Sequence, residues 1–355
     1  MPDEPTTIDM EAWVCPAPLR DSPNIVMGHG GGGAMSGELI EHLFLPAFGP
    51  AADAGMGDSA VVDIGGTRVA FSTDSFVVKP MVFPGGTIGD LAVNGTVNDL
   101  AMAGAQPAVL STAFILEEGT PLGELARVAQ ALGTAALAAG VKLVTGDTKV
   151  VDSGHGDGVY INTAGIGLVD ERADIRPQRA CDGDVVIVSG DIGVHGVAVM
   201  SCREGLEFAT TVASDTAPLH GLVAAMIETG ADIHALRDPT RGGMAATLNE
   251  IAKAAHVGVS LDERALPIPA EVRDACGLLG LDPLYVANEG RFVAFVAPAD
   301  VSKALDALRS VDVSRGAAFI GVVEHAHRGL VTLRNHLGES RVVDVLTGEQ
   351  VPRVC

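Results

Sequence analysis

The sequence lacks three features that would each indicate a large class of function. It has 23 lysines and arginines and 45 acidic residues, which gives a formal net charge of −22. Its basic residues form no cluster in the sequence that could neutralise a row of phosphates. Its apolar runs fall short of the roughly 18 residues that a membrane span needs. Its five cysteines are scattered and include no CxxC pair. We therefore expect no nucleic-acid binding, no transmembrane segment, no disulfide framework and no zinc site.

A secretion signal is also missing from the start of the chain. Residues 1–23 are acidic and rich in proline, whereas a signal peptide is basic and then apolar. We expect a cytoplasmic protein whose residues 1–23 form a flexible arm. With 355 residues, 47% of them hydrophobic, the chain is long enough for roughly two domains with buried cores.

Short β-rich stretches alternate with alanine-rich helical stretches, which is typical of an α/β or α+β protein. One helix is predicted over Leu122–Ala139, with Thr120 as its cap and Gly140 at its end. A polar stretch at 170–184 predicts a link between an N-terminal domain, 24–170, and a C-terminal domain, 171–346, followed by a mobile tail, 347–355. Strands are predicted at 61–64, 68–73, 109–116, 141–145, 159–169, 184–189, 284–296 and 317–323, further helices at 196–202, 218–229 and 244–256, and a final β-ribbon at 328–346.

A run of glycines follows the first apolar residues of the N-terminal domain. Gly28-His29-Gly30-Gly31-Gly32-Gly33 can bring backbone amides close to an anion. The run matches neither of the two standard phosphate-loop patterns, and a flexible linker is the alternative interpretation.

Several aspartates of the same domain stand beside Gly, Thr or Asn at the ends of apolar runs. Each one alone is typical of a turn or a helix cap. Together they offer the hard oxygen ligands that Mg²⁺ uses when it bridges nucleotide phosphates. Lys149 could add a cation against a phosphate, or it is a solvated surface lysine. The aspartates are Asp58, Asp74, Asp99 (which follows Asn98) and Asp147.

Two segments of the second domain combine charge with glycine. Asp238–Gly243 (DPTRGG) precedes a predicted helix, so it could bind an anion through free amides and the Arg241 guanidinium, or form an ordinary cap and turn. Glu289 interrupts an apolar strand pattern. A carboxylate there would be partly desolvated and suited to act as a general base, unless it forms a salt bridge with Arg291.

The last residue of the chain is a cysteine. Pro352 blocks a helix near the end, so Cys355 is predicted to be an exposed thiol on an extended tether. It lies too close to the end for a prenylation site, and a terminal cysteine without function is the alternative. The other cysteines are expected to be buried or incidental: Cys15, Cys181, Cys202 and Cys276.

Taken together, these segments resemble the HypE family, the carbamoyl dehydratases of [NiFe]-hydrogenase maturation, within a larger group related to aminoimidazole ribonucleotide synthetase. The terminal Pro-Arg-hydrophobic-Cys pattern separates this family from its relatives. The chain departs from the family at Val194, where the family often has Asp. The similarity is carried by HGGGGAMS (29–36), FSTDSFVVKPMVFPGGTIGDLAVNGTVNDLAMAGAQP (71–107), VTGDTKVV (144–151), DGVYINTAGIG (157–167), DPTRGG (238–243), NEGR (288–291) and the final PRVC.

The resemblance implies a two-domain α/β (α+β) fold, with an N-terminal sheet domain that binds ATP and forms a homodimer, and a C-terminal α/β domain. It implies a reaction in which a carbamoyltransferase partner carbamoylates Cys355 and this protein dehydrates the product to a thiocyanate with ATP and Mg²⁺. Iron-carrying scaffold proteins would then accept the cyanide. By the same resemblance, Glu289 and Lys149 would be catalytic with Cys355, and Asp58, Asp74, Asp99 and Asp147 would organise the metal. The nucleotide would be bound by these aspartates with His29, Gly30, Gly31, Asn98 and Arg241.

Two other functions compete with this one. A selenophosphate synthetase or a thiamine-phosphate kinase of the larger group would act on a free small molecule and leave Cys355 idle. A non-catalytic scaffold would carry cyanide or dock other proteins, although the retained acidic and lysine positions speak against it.

Overall fold

The computed structural model describes residues 24–49, 57–204 and 212–346. The predicted arm at 1–23 and the predicted tail at 347–355 lie outside the described residues, and so do Cys15 and Cys355. None of the helices in the described ranges is long and apolar enough to cross a membrane.

The first half of the chain is built around a five-stranded sheet with the order β1-β2-β7-β5-β6. β5 and β6 run parallel, and the other neighbours are antiparallel. Its elements are α1 (Ala34–Leu39), α2 (Leu45–Phe48), β1 (Ala60–Ile64), β2 (Thr67–Phe76), β3 (Val82–Phe83), β4 (Gly86–Thr87), α3 (Ile88–Met102), β5 (Ala105–Glu117), α4 (Leu122–Ala138), β6 (Lys142–Val151) and β7 (Val159–Val169).

One face of this sheet is covered by helices, and the other is not covered by any of the described residues. α3 packs on β2, β5 and β7, and alternate residues of these strands are buried beneath it. The residues between them are exposed because side chains alternate across a sheet. We call the uncovered side the outer face; it includes Phe71, Ser75, Asn162, Ile166 and Leu168.

α3 begins at a capping box. The Thr87 hydroxyl accepts hydrogen bonds from the amides of Gly89 and Asp90, and the Thr87 amide donates to Asp90 Oδ2 at 2.7 Å. This pattern satisfies amides that have no partner inside the helix. α3 is buried along most of its length, since it lies between the first sheet and the second half of the chain.

The second half contains a seven-stranded sheet with the order β14-β13-β10-β12-β8-β11-β9. α7 packs on one face, while α6 and α9 pack on the other. Its elements are β8 (Val185–Val188), α5 (Val194–Glu204), α6 (His220–Glu228), β9 (Ile233–Arg237), α7 (Gly243–Ala255), β10 (Gly258–Asp262), α8 (Ala270–Leu279), β11 (Val293–Val296), α9 (Val301–Arg309), β12 (Ala318–Glu324), β13 (Val331–Arg334) and β14 (Ser340–Val343).

Buried hydrogen bonds join the two halves. Asn98 of α3 donates to the carbonyls of Ala217 and Glu289 at 3.1 and 3.3 Å and accepts from the Leu219 amide at 2.8 Å. The Ser214 amide donates to the Pro84 carbonyl at 2.7 Å. α3 therefore fixes the second-half loops against the first sheet.

The predicted fold class is confirmed, and most of the predicted elements are present within a few residues of their expected bounds. Two predictions were wrong in detail. The strand expected at 284–296 is reduced to β11, because 284–292 form a short 3-10 turn and a loop that carries buried polar groups. Thr120 does not cap α4; its hydroxyl donates to the Gly158 carbonyl at 3.2 Å, and Pro121 occupies the cap position.

Candidate functional site

Three aspartates meet where α3 faces the second sheet. Asp58 precedes β1, Asp99 lies on α3, and Asp238 follows β9. One carboxylate oxygen from each lies within 4.8 Å of those of the other two. Such a group of oxygens is the kind of ligand set that a hard divalent cation uses.

Within the described ranges, Arg237 and Ser72 contribute positive charge and a hydrogen-bond donor to this acidic cluster. Arg237 Nε lies 3.0 Å from Asp58 Oδ1, but the same guanidinium also pairs with Glu250 at 2.7 Å. The Ser72 hydroxyl donates to Asp99 Oδ2 at 2.6 Å. The acids are therefore only partly neutralised by the described residues.

The burial and close approach of the three aspartates raise their pKa values. Burial raises the pKa of Asp58 to about 6, even though Arg237 opposes the shift. Burial also raises the pKa of Asp99 and of Asp238 well above the ordinary value, and neighbouring carboxylates raise each of them further. Ionising all three without an additional cation is unfavourable.

A cleft beside the cluster brings together four predicted site residues. It is lined by Asp74, Asp99, Arg241 and Glu289, with Asp238 among the residues between them. Arg241 Nη2 lies 3.9 Å from Asp74 Oδ1, and burial raises the pKa of Asp74 against the influence of Arg241. Both halves of the chain thus contribute to one site.

Glu289 is buried in this cleft and does not form the salt bridge with Arg291 that was the alternative interpretation of the sequence. Its Oε1 has no hydrogen-bond partner among the described residues. Arg291 instead donates to backbone carbonyls, including Gly290 at 2.7 Å, and lies 3.8 Å from Asp215. Burial raises the pKa of Glu289 well above its ordinary value, and Asp238, Asp74 and Asp215 add to the shift. A carboxyl with a raised pKa and an oxygen that lacks a described hydrogen-bond partner is suited to take up a proton.

Buried hydrogen bonds hold the Glu289 loop in place. Asp215 Oδ1 accepts from the Glu289 amide at 3.2 Å, and the Asn288 side chain donates to the Pro239 carbonyl at 3.1 Å. The latter bond ties this loop to DPTRGG. There Gly242 and Gly243, with φ of +76° and +60°, make the turn that starts α7.

The glycine run lies against Arg241. Gly32 has a φ of +72°, and a Cβ placed there would lie 2.9 Å from the Cβ of Arg241. Arg241 Nη1 donates to the Gly30 carbonyl at 3.3 Å. The run is therefore folded at the edge of the cleft, and the flexible-linker interpretation is wrong.

Three residues predicted to bind nucleotide make hydrogen bonds within the chain. Nδ1 of His29 accepts from the Val26 amide at 3.0 Å, Gly31 closes a turn onto the Gly28 carbonyl, and the Asn98 amide is used in the bonds between the two halves. Their predicted contacts with a nucleotide stay predictions.

Asp147 and Lys149 are not near the acidic cluster of their own chain. Across the sheet, Asp147 pairs with Ala113, Ala113 with Asn162, and Asn162 with Ser75. Paired residues point to the same face, so Asp147 lies on the outer face, opposite Asp74 and about 14 Å from Ser75 at ~4.8 Å per strand. Its carboxylate is exposed and bonded to Lys149 Nζ at 2.9 Å, which lowers its pKa.

Two acidic residues near the cleft were not among the predicted site residues. Asp238 lies in the DPTRGG segment, from which only Arg241 was predicted as a site residue, and Asp215 lies in a segment with no motif. The position of Asp238 in the DPTRGG segment, before a predicted helix, was the available signal for it. His195, beside the Val194 departure, is buried and lies 2.8 Å from the Ser214 hydroxyl, so it supports the loop that carries Asp215.

Comparison with known proteins extends over nearly the whole chain. Residues 56–169 match the N-terminal domain, and residues 182–334 the C-terminal domain, of AIR synthase related proteins. A carbamoyl dehydratase HypE from Rhizobium leguminosarum bv. viciae is 51% identical over 332 residues, covering 93% of this chain and 95% of the relative.

Two solved structures have the same fold. A HypE–HypF complex aligns with a TM-score of 0.82 at 46% identity, covering 87% of this chain and 99% of the other. HypE in complex with ATP aligns with a TM-score of 0.79 at 45% identity, covering 92% and 98%. With this identity over this length, the chain belongs to the HypE family of carbamoyl dehydratases.

Proposed function

We propose that this chain uses ATP to dehydrate a carbamoyl group on the sulfur of Cys355, yielding a thiocyanate that supplies cyanide to [NiFe]-hydrogenase assembly. The observation that carries the proposal is the buried carboxyl of Glu289, whose Oε1 has no hydrogen-bond partner among the described residues, beside the acidic cluster and Arg241. A protein that only carried cyanide would not need a desolvated base beside such a cluster.

The donor set fits ATP with Mg²⁺. Asp58, Asp99 and Asp238 would hold the cation, with Asp74 at the edge of the same cleft. Bound Mg²⁺ would supply positive charge at the phosphates and relieve the repulsion that raises the pKa values of these acids. Arg241 offers a planar fork for phosphate oxygens.

The chemistry follows from the poor leaving ability of an amide oxygen. The carbamoyl oxygen attacks the γ-phosphorus of ATP and releases ADP, so the oxygen leaves later as phosphate. The nitrogen gives up two protons, one as the imidate forms and one as the C–O bond breaks and the nitrile forms. Glu289 accepts a nitrogen proton, because its carboxyl has no competing hydrogen bond on Oε1.

The tail can reach the cleft. The Leu346 carbonyl accepts from the Ala34 amide at 3.0 Å, next to the glycine run that touches Arg241. Cys355 follows Leu346 by nine residues, which span about 30 Å when extended. The thiol therefore has the length to enter this cleft.

The proposal includes a homodimer in which a second copy of the chain packs on the outer face. The outer face is rich in exposed apolar side chains, among them Phe71, Ile166 and Leu168, and such a face favours association. Asp147 and Lys149 lie on this face, so in a homodimer they would act toward the partner's nucleotide rather than their own. The proposed partners are a carbamoyltransferase, as in the solved complex of a relative with HypF, and iron-carrying scaffolds that accept cyanide in the cytoplasm.

The test is intact-mass analysis after incubation with carbamoyl phosphate, ATP and the carbamoylating partner. The chain should gain one carbamoyl group and then lose one water only when ATP is present. Cys355→Ala should show neither change and should still bind ATP. Loss of water without ATP, or an unchanged mass in the wild-type chain, would contradict the proposal.

A further inference from the structure

A second group of ligand-type side chains lies away from the nucleotide cleft, at one end of the seven-stranded sheet. Cys181 and Asp184 are joined by a turn in which the Asp184 amide donates to the Cys181 carbonyl at 3.0 Å. His234 comes from β9, more than 40 residues later in the chain. Their Sγ, carboxylate and Nδ1 atoms lie within 4.8 Å of one another.

Two of the three distances between these side chains resemble those in a tetrahedral metal site. Cys181 Sγ lies 3.5 Å from Asp184 Oδ1 and 3.7 Å from His234 Nδ1. Zinc bonds of about 2.3 Å to sulfur and about 2.0–2.1 Å to nitrogen or oxygen, at tetrahedral angles, separate sulfur from the other two ligands by about 3.6 Å. His234 Nδ1 and Asp184 Oδ2 are closer, at 2.8 Å, and would separate slightly around an ion.

The outer nitrogen of His234 is held by a further carboxylate. Nε2 lies 3.1 Å from Asp232 Oδ2, and Asp232 Oδ1 lies 2.9 Å from Arg179 Nη2. A carboxylate behind a histidine fixes the ring and keeps its proton on the outer nitrogen, which leaves the inner nitrogen free to bind a metal. Asp184 is also fixed, since its Oδ2 accepts from the Cys181 amide at 2.9 Å.

We propose that Cys181, Asp184 and His234 form a Zn²⁺ site, with Asp232 and Arg179 as positioning residues. A ligand set of sulfur, nitrogen and oxygen suits Zn²⁺ and excludes Mg²⁺ or Ca²⁺ as the preferred ion. Cys181 is exposed, so the fourth position is open to water. The spacing of the cysteines predicted no zinc site, because these ligands come from separate elements that only the fold brings together.

The same contacts have a metal-free explanation. A protonated His234 would form ion pairs with both Asp184 and Asp232. Cys181 would then have no role in the cluster and would keep its proton, since burial and Asp184 raise the pKa of its thiol. The two explanations differ in what Cys181 does, because an ion pair does not need the sulfur.

The experiment is a titration of the full-length protein with Co²⁺, followed by the thiolate-to-metal charge-transfer absorption, and with Zn²⁺ in competition with a chromophoric chelator. Cys181→Ser should abolish the absorption and weaken Zn²⁺ binding at least tenfold. The matched control Cys202→Ser, at another exposed cysteine, should leave both unchanged, and so should Cys355→Ser. Asp232→Asn should lower Zn²⁺ affinity by about 10–100-fold while the absorption persists at saturation.

Thermal unfolding of each variant establishes that it is folded, and Cys181→Ser replaces an exposed residue by one of similar shape. Equal Zn²⁺ affinity in wild type and Cys181→Ser would overturn the proposal. Charge-transfer absorption that survives in Cys181→Ser but is lost in Cys355→Ser would also overturn it, by assigning the sulfur ligand to the tail.

Discussion

Replacing Glu289 by Gln separates chemistry from binding more cleanly than any other substitution in the cleft. The change keeps the size of the side chain and removes its ability to accept a proton. Oε1 has no hydrogen-bond partner to lose among the described residues, and Arg291 is engaged elsewhere, so no salt bridge with Arg291 is broken. The loss of a general base lowers the rate of the chemical step by about 10²–10⁴-fold.

The same substitution should lower the reaction rate but should not lower the stability of the folded chain. The pKa of Glu289 is raised in the folded chain, so the folded state binds the proton more tightly than the unfolded state. The contribution of Glu289 to stability therefore falls as the pH rises above the pKa that this residue has in the unfolded chain. Glu289→Gln removes that penalty, and the variant should be at least as stable as wild type at pH 8.

The assay is single-turnover conversion of the carbamoylated protein, followed by intact mass, with Glu271→Gln on the exposed start of α8 as the matched control. We expect the Glu289 variant to be carbamoylated and to bind ATP normally, and then to accumulate the carbamoyl form. The control should convert at the wild-type rate. Conversion by Glu289→Gln at the wild-type rate would refute the assignment of the base, and a less stable variant at pH 8 would refute the account of its environment.

Three further predictions concern the cation, the pH and the outer face. Asp74→Asn should weaken Mg-ATP binding in calorimetric titration, whereas Asp306→Asn on the exposed side of α9 should not; equal affinities would make Asp74 a turn residue. The metal-free chain should lose stability as the pH rises from about 4 to about 6, since the pKa of Asp58 is raised from 3.8 to about 6, and Asp58→Asn should reduce this loss in thermal scans. Phe71→Glu on the outer face should give monomers in light scattering with little change in unfolding temperature, whereas a dimer that survives this charge would place the interface elsewhere.

The sequence predicted the fold class well because local signals determine most of it. β7 was predicted with its observed bounds, and the helix over 122–139 differs from α4 by one residue at its end. Both elements have a regular apolar period. Gly140 follows α4 and a polar stretch follows β7, so the end of each element has a sequence signal. The loop at 284–292 was mistaken for a strand because its apolar residues are buried by packing between the halves, without any ladder partner.

The site could be predicted only in part, since its geometry depends on contacts between distant residues. Residue types and neighbours in the sequence predicted five of its members. The fold brings Asp74, Asp99, Arg241 and Glu289 to one cleft and places Asp58 in the acidic cluster beside it.

The exposed position of Asp147 could not be predicted, because the face on which it lies depends on the register of β6 against β5, which includes an irregularity at Ser111. The pairing of Arg291 with Asp215 links residues 76 positions apart and has no sequence signature.

The measurement that tests the central claim most directly is peptide mapping of the protein after reaction with isotope-labelled carbamoyl phosphate, the carbamoylating partner and ATP. The account predicts a labelled carbamoyl group on Cys355 alone without ATP, and a labelled cyano group on Cys355 alone with ATP. A label on Cys181, Cys202 or Cys276, or a carbamoyl group on Cys355 that ATP does not convert, would contradict it.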